Sequence, residues 1–468
     1  MLLGIGLRAP EVLNHNPIFG FDQGRDYLAV RKIVVERKPT LIGSEVGAGM
    51  AGLQYIFHGP YYYYTLVAPF ILFGGDPYGG LVLMFVFGVA SLFLGFFFVK
   101  KSFGVKMALI ATLLLAVALS AQSRFIWNSH PATFFILLVF WAVYKLPKNQ
   151  QKYFFLANFL AGIIYGFQLA ISVTLILTLF LFAFSIAKIK NIKVYFYGIL
   201  GVILAYLPFF GFEFRHGLKA TRNLLRMNFA GGFKNHLSAF WFNFCDTFYV
   251  PQSGHWWLLG FLVIAAIYFL LKQKTGCRRY FVSFLLLMIP VTFSIFVFLD
   301  SPVWGHYLIH LHLAYILLFS FFLTKSRLRP VRIVLCIFLL LMAPRIWQEI
   351  GKAHQDYYDH GGVAKMRGKL EAIDYLYQDA DGEEFNVLVF TPPVYDYAYQ
   401  YLLTWYGQKQ YGYLPGNKKE GLFYLWIEPE HGKPWTYQGW LETIIKTGRV
   451  LKEEKLPGGF IIQKRYAE

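Results

Sequence analysis

The sequence predicts a polytopic α-helical membrane protein with a small soluble α/β domain at its C-terminal end. This prediction rests on three observations. Of the 468 residues, 15% are charged, whereas soluble proteins carry roughly 25%. Apolar runs long enough to cross a bilayer follow one another from residue 79 to residue 344. After that point, helical and strand patterns alternate with ordinary charge content, which indicates an α/β domain.

The same patterns divide the chain into four segments. The first, residues 1–13, is expected to be the remnant of a first transmembrane span or a truncated start, because it is too short for a membrane helix. The others are an external catalytic loop with short juxtamembrane helices, a body of about ten transmembrane helices, and an external α/β domain. They comprise residues 14–78, 79–344 and 345–468 respectively.

Basic residues cluster between the apolar runs, and their positions set the expected topology. Such clusters are typical of cytoplasmic loops under the positive-inside rule. We therefore expect a multi-pass protein of the cytoplasmic (inner) membrane, with its polar loops, its active site and its C-terminal domain on the extracytoplasmic side. The net charge of +18 reflects this topology and argues against a nucleic-acid partner. The clusters span residues 100–106, 145–152, 188–193, 272–279 and 325–332.

The stretch "FDQGRD" contains the first candidate site residues. Asp22 and Asp26 are four positions apart, so they share a face if the stretch is helical, with Arg25 as their counter-ion. A solvated loop helix explains this pattern as well as a catalytic role does. In the catalytic interpretation both aspartates act at the membrane interface, where reduced hydration raises the basicity of a carboxylate.

Further polar side chains lie at the predicted outer ends of the spans. Guanidinium groups match phosphate oxygens in a bidentate way, so a phosphate-bearing lipid is a suitable ligand. Each histidine taken alone is more often structural than functional. The candidates for phosphate binding are Arg25, Arg124, Arg215 and His216, and those for acceptor binding or loop support are His58, Tyr61, Asn128, His130, Gln168 and His306.

These motifs resemble the GT-C-fold integral-membrane glycosyltransferases, especially the protein O-mannosyltransferase and lipid A aminoarabinose transferase group. "FDQGRDYLA" is similar to the acidic first external loop of that group, and "GPYYYY" is similar to the short helix after it. Gln23 stands where the group has a second acid, and Gln168 where it has a lysine. The resemblance implies a GT-C-like fold and a polyprenyl-phosphate-linked sugar donor. It also implies a lipid, glycan or protein acceptor, and an inverting single displacement with Asp22 as general base.

The sequence leaves two alternatives to this function. One is a non-enzymatic exporter or flippase of lipid-linked sugars, and the other is an enzyme of the O-antigen ligase or polymerase type. Transporters tend to carry internal repeats and charged residues at the midplane, which the sequence lacks, so the transferase is favoured. A divalent metal ion is not demanded by any ligand spacing, and its candidate ligands are Asp22, His58 and His216.

The C-terminal domain is rich in aromatic residues just after its first predicted strand. These rings either stack on sugars or form core and membrane-facing packing, and packing is the favoured interpretation. They are Tyr395, Tyr397, Tyr399, Trp405 and Tyr406.

Overall fold

The structure of the chain is a computed structural model. It consists mainly of helices, with one four-stranded sheet near the C-terminal end. The residues that it describes are 1–49, 54–225, 233–248, 260, 276–297, 303–325, 329–359, 361–392 and 395–467.

Helices follow the apolar runs of the sequence closely, because a backbone in lipid must satisfy its own hydrogen bonds. Short helices precede the first long one, and an amphipathic helix leads to the soluble domain. In order they are α1 (Leu2–Gly6), α2 (Pro10–Leu13), α3 (Phe21–Val34), α4 (Tyr61–Leu72), α5 (Pro77–Phe103), α6 (Val105–Ala118), α7 (Ala132–Lys145), α8 (Gln150–Ile163), α9 (Leu169–Leu181), α10 (Ile192–Ala205), α11 (Leu207–Arg215), α12 (Lys219–Leu225), α13 (Phe233–Phe248), α14 (Cys277–Val297), α15 (Ile309–Lys325), α16 (Arg329–Leu341) and α17 (Ala343–Tyr358).

Four helical stretches of the described chain are long and apolar enough to cross a bilayer. A fifth span arises if α10 and α11 are counted together, although they bend by 60° at the break before Leu207. Pro208, in the first turn of α11, lacks the amide proton that would continue the helix across this bend. The protein is therefore a multi-pass membrane protein. The number of about ten spans stays a prediction. Residues 249–259 and 261–275 of the predicted membrane body lie outside the described residues.

The C-terminal segment forms the predicted α/β domain. Its sheet has the order β1-β2-β4-β3, in which β1 and β2 are parallel and the other neighbours are antiparallel. Its elements are α18 (Met366–Ala380), β1 (Asn386–Phe390), α19 (Tyr397–Leu402), α20 (Gln408–Tyr411), β2 (Gly421–Ile427), α21 (Trp435–Trp440), β3 (Arg449–Lys455) and β4 (Ile461–Ala467).

This domain is attached to the first loop by hydrogen bonds on two sides. The Met366 amide donates to the Pro17 carbonyl at 2.9 Å, just before α3. The Trp405 indole donates to the Gly74 carbonyl at 2.8 Å, in the turn between α4 and α5. The domain is thus held against the loop that carries the acidic motif.

Candidate active site

A polar cavity of about 560 Å³ lies between the first loop, the membrane helices and the C-terminal domain. Six predicted site residues line it, namely Asp22, Arg25, His58, Asn128, Gln168 and His306. Tyr395, for which sugar stacking was the less favoured prediction, also lines it. The sequence predicted no site role for the other lining residues of the described chain, which are Phe21, Ser44, Glu45, Gly47, Trp127, Trp304 and Tyr307.

The two aspartates of the motif differ sharply in exposure. The side chain of Asp22 is 39% exposed and faces the cavity, whereas that of Asp26 is 1% exposed. Arg25 lies between them: its guanidinium is 2.8 Å from Oδ1 of Asp22 and 2.8 Å from Oδ1 of Asp26. Only Asp22 is therefore within reach of a molecule in the cavity, and Asp26 holds Arg25 from behind.

Asp26 is an unusual carboxylate because it is buried and incompletely paired. Burial raises its pKa to about 6, while the nearby Arg25 opposes this shift. The Tyr63 hydroxyl donates to its Oδ1 at 3.3 Å, and its Oδ2 has no hydrogen-bond partner among the described residues. Asp26 consequently acts on the site through Arg25 and does not face the cavity itself.

Gln23 has a structural role in this motif. Its Oε1 accepts a hydrogen bond from the Gly20 amide at 2.9 Å, which caps the start of α3. Its Nε2 donates to the Ile126 carbonyl at 2.7 Å and so joins α3 to the loop before α7. This side chain orients α3, and the second acid that the resemblance implies is absent at this position.

His58 presents a neutral imidazole to the cavity. Its Nδ1 accepts a hydrogen bond from the Leu169 amide at 3.2 Å, which assigns the ring proton to Nε2. Burial lowers the pKa of His58 to about 3, and the charge of Arg25 acts in the same direction. At neutral pH His58 is thus a hydrogen-bond donor through Nε2 and carries no charge.

Asn128 and Gln168 complete the polar wall. The Asn128 amide donates to the Phe167 carbonyl at 2.9 Å, and Gln168 precedes the first turn of α9. The Oε1 atom of Gln168 is buried without a hydrogen-bond partner in the described chain. His306 completes the wall, and its ring lies tilted by 57° against the ring of Trp127, with ring centroids 4.5 Å apart.

Arg124 lies away from the cavity wall, and its predicted phosphate-binding role stays a prediction. Its guanidinium is 2.6 Å from Glu11 and 2.5 Å from Asp356, and it does not line the cavity. Arg124 therefore joins α2, the loop before α7 and the end of α17. Sequence spacing does not reveal this role, because its partners are 113 and 232 positions away.

Four other predicted residues also lie off the cavity wall. Arg215 and His216 are exposed at the end of α11, so neither is brought to the acidic motif. The Tyr61 hydroxyl donates to the Ala205 carbonyl at 2.6 Å and so joins α4 to the end of α10. His130 is buried, with Nδ1 2.8 Å from the carbonyl oxygen of Phe125.

The proposed metal ligands are not assembled. Among the described residues, no group of three or more histidine, cysteine, aspartate or glutamate side chains is arranged to hold a metal ion. Asp22 and His58 share the cavity, but His216 does not line it. The residues present therefore do not form the ligand set of Asp22, His58 and His216.

An apolar groove of about 390 Å³ adjoins the polar cavity. Tyr307 lines both, and Thr221 is the one non-aromatic polar side chain on the groove wall of the described chain. The other lining residues are Val46, Ile56, Phe57, Tyr165, Leu169, Ala170, Val173, Tyr206, Phe209, Ala220, Leu224, Ile295 and Phe296.

Solved structures share this architecture over nearly the whole chain. ArnT from Cupriavidus metallidurans bound to undecaprenyl phosphate matches with a TM-score of 0.61 and 12% identity, covering 99% of this chain and 96% of that one. Its apo state gives 0.58 and 11%, with the same coverage. The Archaeoglobus fulgidus oligosaccharyltransferase with Zn and sulfate gives 0.55 and 15%, covering 98% of this chain and 72% of that one. No protein-family model and no curated protein matches the sequence.

At these identities the likeness shows the fold. ArnT and the oligosaccharyltransferase both have the GT-C fold, so the chain has it as well. The fold class that the first-loop resemblance implied is confirmed.

Proposed function

We infer that the protein is a membrane glycosyltransferase that moves a sugar from a polyprenyl-phosphate donor to an acceptor, with Asp22 as general base. The observation that carries this inference is the junction at Tyr307 between a polar cavity and an apolar groove. A lipid-linked sugar has the same division, because its sugar and phosphate are polar and its tail is apolar. The bound lipid of the ArnT structure supports the same class of donor.

The reaction is a single displacement at the anomeric carbon. Asp22 takes the proton of an acceptor hydroxyl or amine, and the freed electron pair of that atom forms the new bond to the anomeric carbon. The bond from that carbon to the phosphate oxygen breaks, and its electron pair leaves on the lipid phosphate. Attack opposite the leaving group inverts the anomeric centre. Asp22 suits the base role because its carboxylate faces the cavity.

Arg25 connects the two charge changes of this step. It is the one lysine or arginine on the cavity wall of the described chain, and both aspartates share it. When Asp22 accepts the proton it loses its negative charge, and its hold on the guanidinium weakens. The guanidinium is then available to the leaving phosphate, whose charge grows at that moment. Arg25 thus keeps the phosphate-binding role predicted from the sequence.

Uncharged hydrogen-bond donors lie on the same cavity wall as Arg25. His58 lines the cavity, and its hydrogen bond from the Leu169 amide leaves the ring proton on Nε2. The side-chain amide of Gln168 is on the same wall, in the position where the resembling group has a lysine. Hydrogen bonds from uncharged groups orient sugar hydroxyls or phosphate oxygens without adding a competing charge beside Asp22.

The test is transfer of radiolabel from a polyprenyl-phosphate sugar in membranes containing the wild type or Asp22→Asn. We expect the variant to lose transfer by ~10²–10⁴-fold, as for loss of a general base, and to keep binding undecaprenyl phosphate. Asp381→Asn, at an exposed aspartate of the soluble domain, is the control and should transfer normally. An Asp22→Asn protein with normal transfer would exclude the base role. Lipid binding without any transfer by the wild type would favour the exporter alternative.

A further inference from the structure

Among the described residues of the C-terminal domain, Tyr395 is the one that lines the cavity. Tyr395 is 58% exposed, although its ring contacts Phe21 of the first loop. The other aromatic residues predicted with it pack into the protein: Tyr399, for example, is 2% exposed and stacks edge-on against Trp426. Tyr395 therefore departs from the packing role that the sequence favoured for this group.

Two aromatic rings contact that of Tyr395. Its ring is parallel to that of Tyr397, at an angle of 5° and a centroid distance of 5.4 Å. Phe21, at the start of α3, contacts both rings, at 5.9 Å and 5.3 Å. The Arg25 guanidinium lies over the Phe21 ring, 5.6 Å from its centroid, in a cation–π contact. One aromatic cluster thus joins the domain to the residues that hold Asp22.

The membrane part supplies a second aromatic wall to the same cavity. Trp304 stacks on His306 at 5.7 Å with an angle of 26°, and its side chain is 36% exposed. Tyr395 does not line the apolar groove, so it is not placed to contact a lipid tail. Exposed rings in a polar cavity provide apolar faces for a ligand that is polar at its edges.

We propose that Tyr395 is a substrate-binding residue whose exposed ring stacks on the apolar face of a sugar ring in the cavity. The proposal rests on the transferase function inferred above. Through Tyr395, the C-terminal domain is then part of the substrate site. The sugar ring belongs either to the donor or to a glycan acceptor, since both present carbon-bound hydrogens on one face.

The test compares Tyr395→Ala with Tyr395→Phe, which keeps the ring, in the full-length protein. Tyr466→Ala is the matched control, because Tyr466 is in the same domain, is 51% exposed and does not line the cavity. Transfer of radiolabel is measured while the concentration of the lipid-linked donor and the amount of acceptor-containing membrane are varied separately. Binding of undecaprenyl phosphate, which has no sugar, and thermal unfolding are measured alongside.

We expect Tyr395→Ala to raise one KM by about 5- to 10-fold, as for loss of an aromatic stacking contact. The KM that rises, for donor or for acceptor, identifies the source of the ring. Tyr395→Phe and Tyr466→Ala should stay within about twofold of the wild type, and all three should bind undecaprenyl phosphate normally.

Three results would overturn the proposal. Unchanged KM values in Tyr395→Ala would show that Tyr395 does not contact the substrate. An equal rise of KM in Tyr395→Phe would assign the effect to the hydroxyl and not to the ring. A lowered unfolding temperature in Tyr395→Ala without a KM change would indicate packing alone. These outcomes differ from failure of the proposed function, in which the wild type itself transfers no label and both inferences fall.

Discussion

Gly24 of α3 lies directly against Ala398 of α19, with no room for a side chain between them. A Cβ on Gly24 would overlap the backbone nitrogen of Ala398 and come within 2.5 Å of the Tyr397 carbonyl carbon. The glycine inside the acidic motif is therefore a contact point for the C-terminal domain. This contact places the domain in the same helical turn as Asp22 and Arg25.

We expect Gly24→Ala to disturb this contact, because backbone atoms on α19 cannot rotate away as a side chain can. Overpacking of this kind costs about 1–3 kcal/mol, so the unfolding temperature should fall and transfer should weaken. Gly439→Ala is the control, since Gly439 is also helical and nothing lies within 4 Å of its added Cβ. Equal unfolding temperatures for the two variants would show that the α3–α19 contact is loose.

Asp26 should make stability depend on pH. In the folded protein the Asp26 carboxyl has a pKa of about 6 and keeps its proton up to about that pH. In the unfolded chain it releases the proton near its ordinary pKa of 3.8. Ionisation of the buried group therefore lowers the stability of the folded state as the pH rises from about 4 to above 6, by up to about 3 kcal/mol.

Asp26→Asn removes this titration, so its unfolding temperature should fall less than that of the wild type between pH 4 and pH 7. Thermal unfolding in detergent at several pH values measures the difference, and other titrating groups cancel because both proteins share them. Transfer should suffer less than in Asp22→Asn, since Asp26 acts through Arg25. Parallel pH curves for the two proteins would contradict the raised pKa.

Arg124→Gln should destabilise the protein without affecting lipid affinity. The change leaves Glu11, which is 3% exposed, without its charged partner. Breaking such a buried pair typically costs about 3–5 kcal/mol. Thermal unfolding and undecaprenyl phosphate binding of the folded fraction separate the two effects. Arg215→Gln, at an exposed arginine, should change neither. Lost lipid binding in a stable Arg124→Gln protein would support the phosphate role that the sequence suggested.

The sidedness of the protein remains a prediction from its basic clusters. We expect a cysteine at Lys418, on the soluble domain, to react with an impermeant maleimide in intact cells. A cysteine at Lys148, between α7 and α8, should react only after permeabilisation. The background must lack Cys245, Cys277 and Cys336, the free cysteines of the described chain. The opposite labelling pattern would invert the topology.

Local sequence was sufficient for the helices and for the acidic motif. The apolar run before Lys100 predicts α5, and the structure has it at Pro77–Phe103, because helix formation in lipid depends on the run itself. The four-residue spacing of Asp22 and Asp26 predicted a shared face if the stretch is helical, and the structure has the stretch in helix α3. The sequence alone also determined that a small α/β domain follows the membrane part.

The tertiary structure decided which of these charged and aromatic residues face the cavity. Asp22 and Asp26 have the same chemistry and neighbouring positions, yet one faces the cavity and the other is buried behind Arg25. Arg124 has its partner Asp356 232 positions away, and Tyr395 reaches the site from another domain. Spacing along the chain reports which residues share a helix face. Burial and ion pairing depend on contacts between distant segments, which only the folded chain brings together.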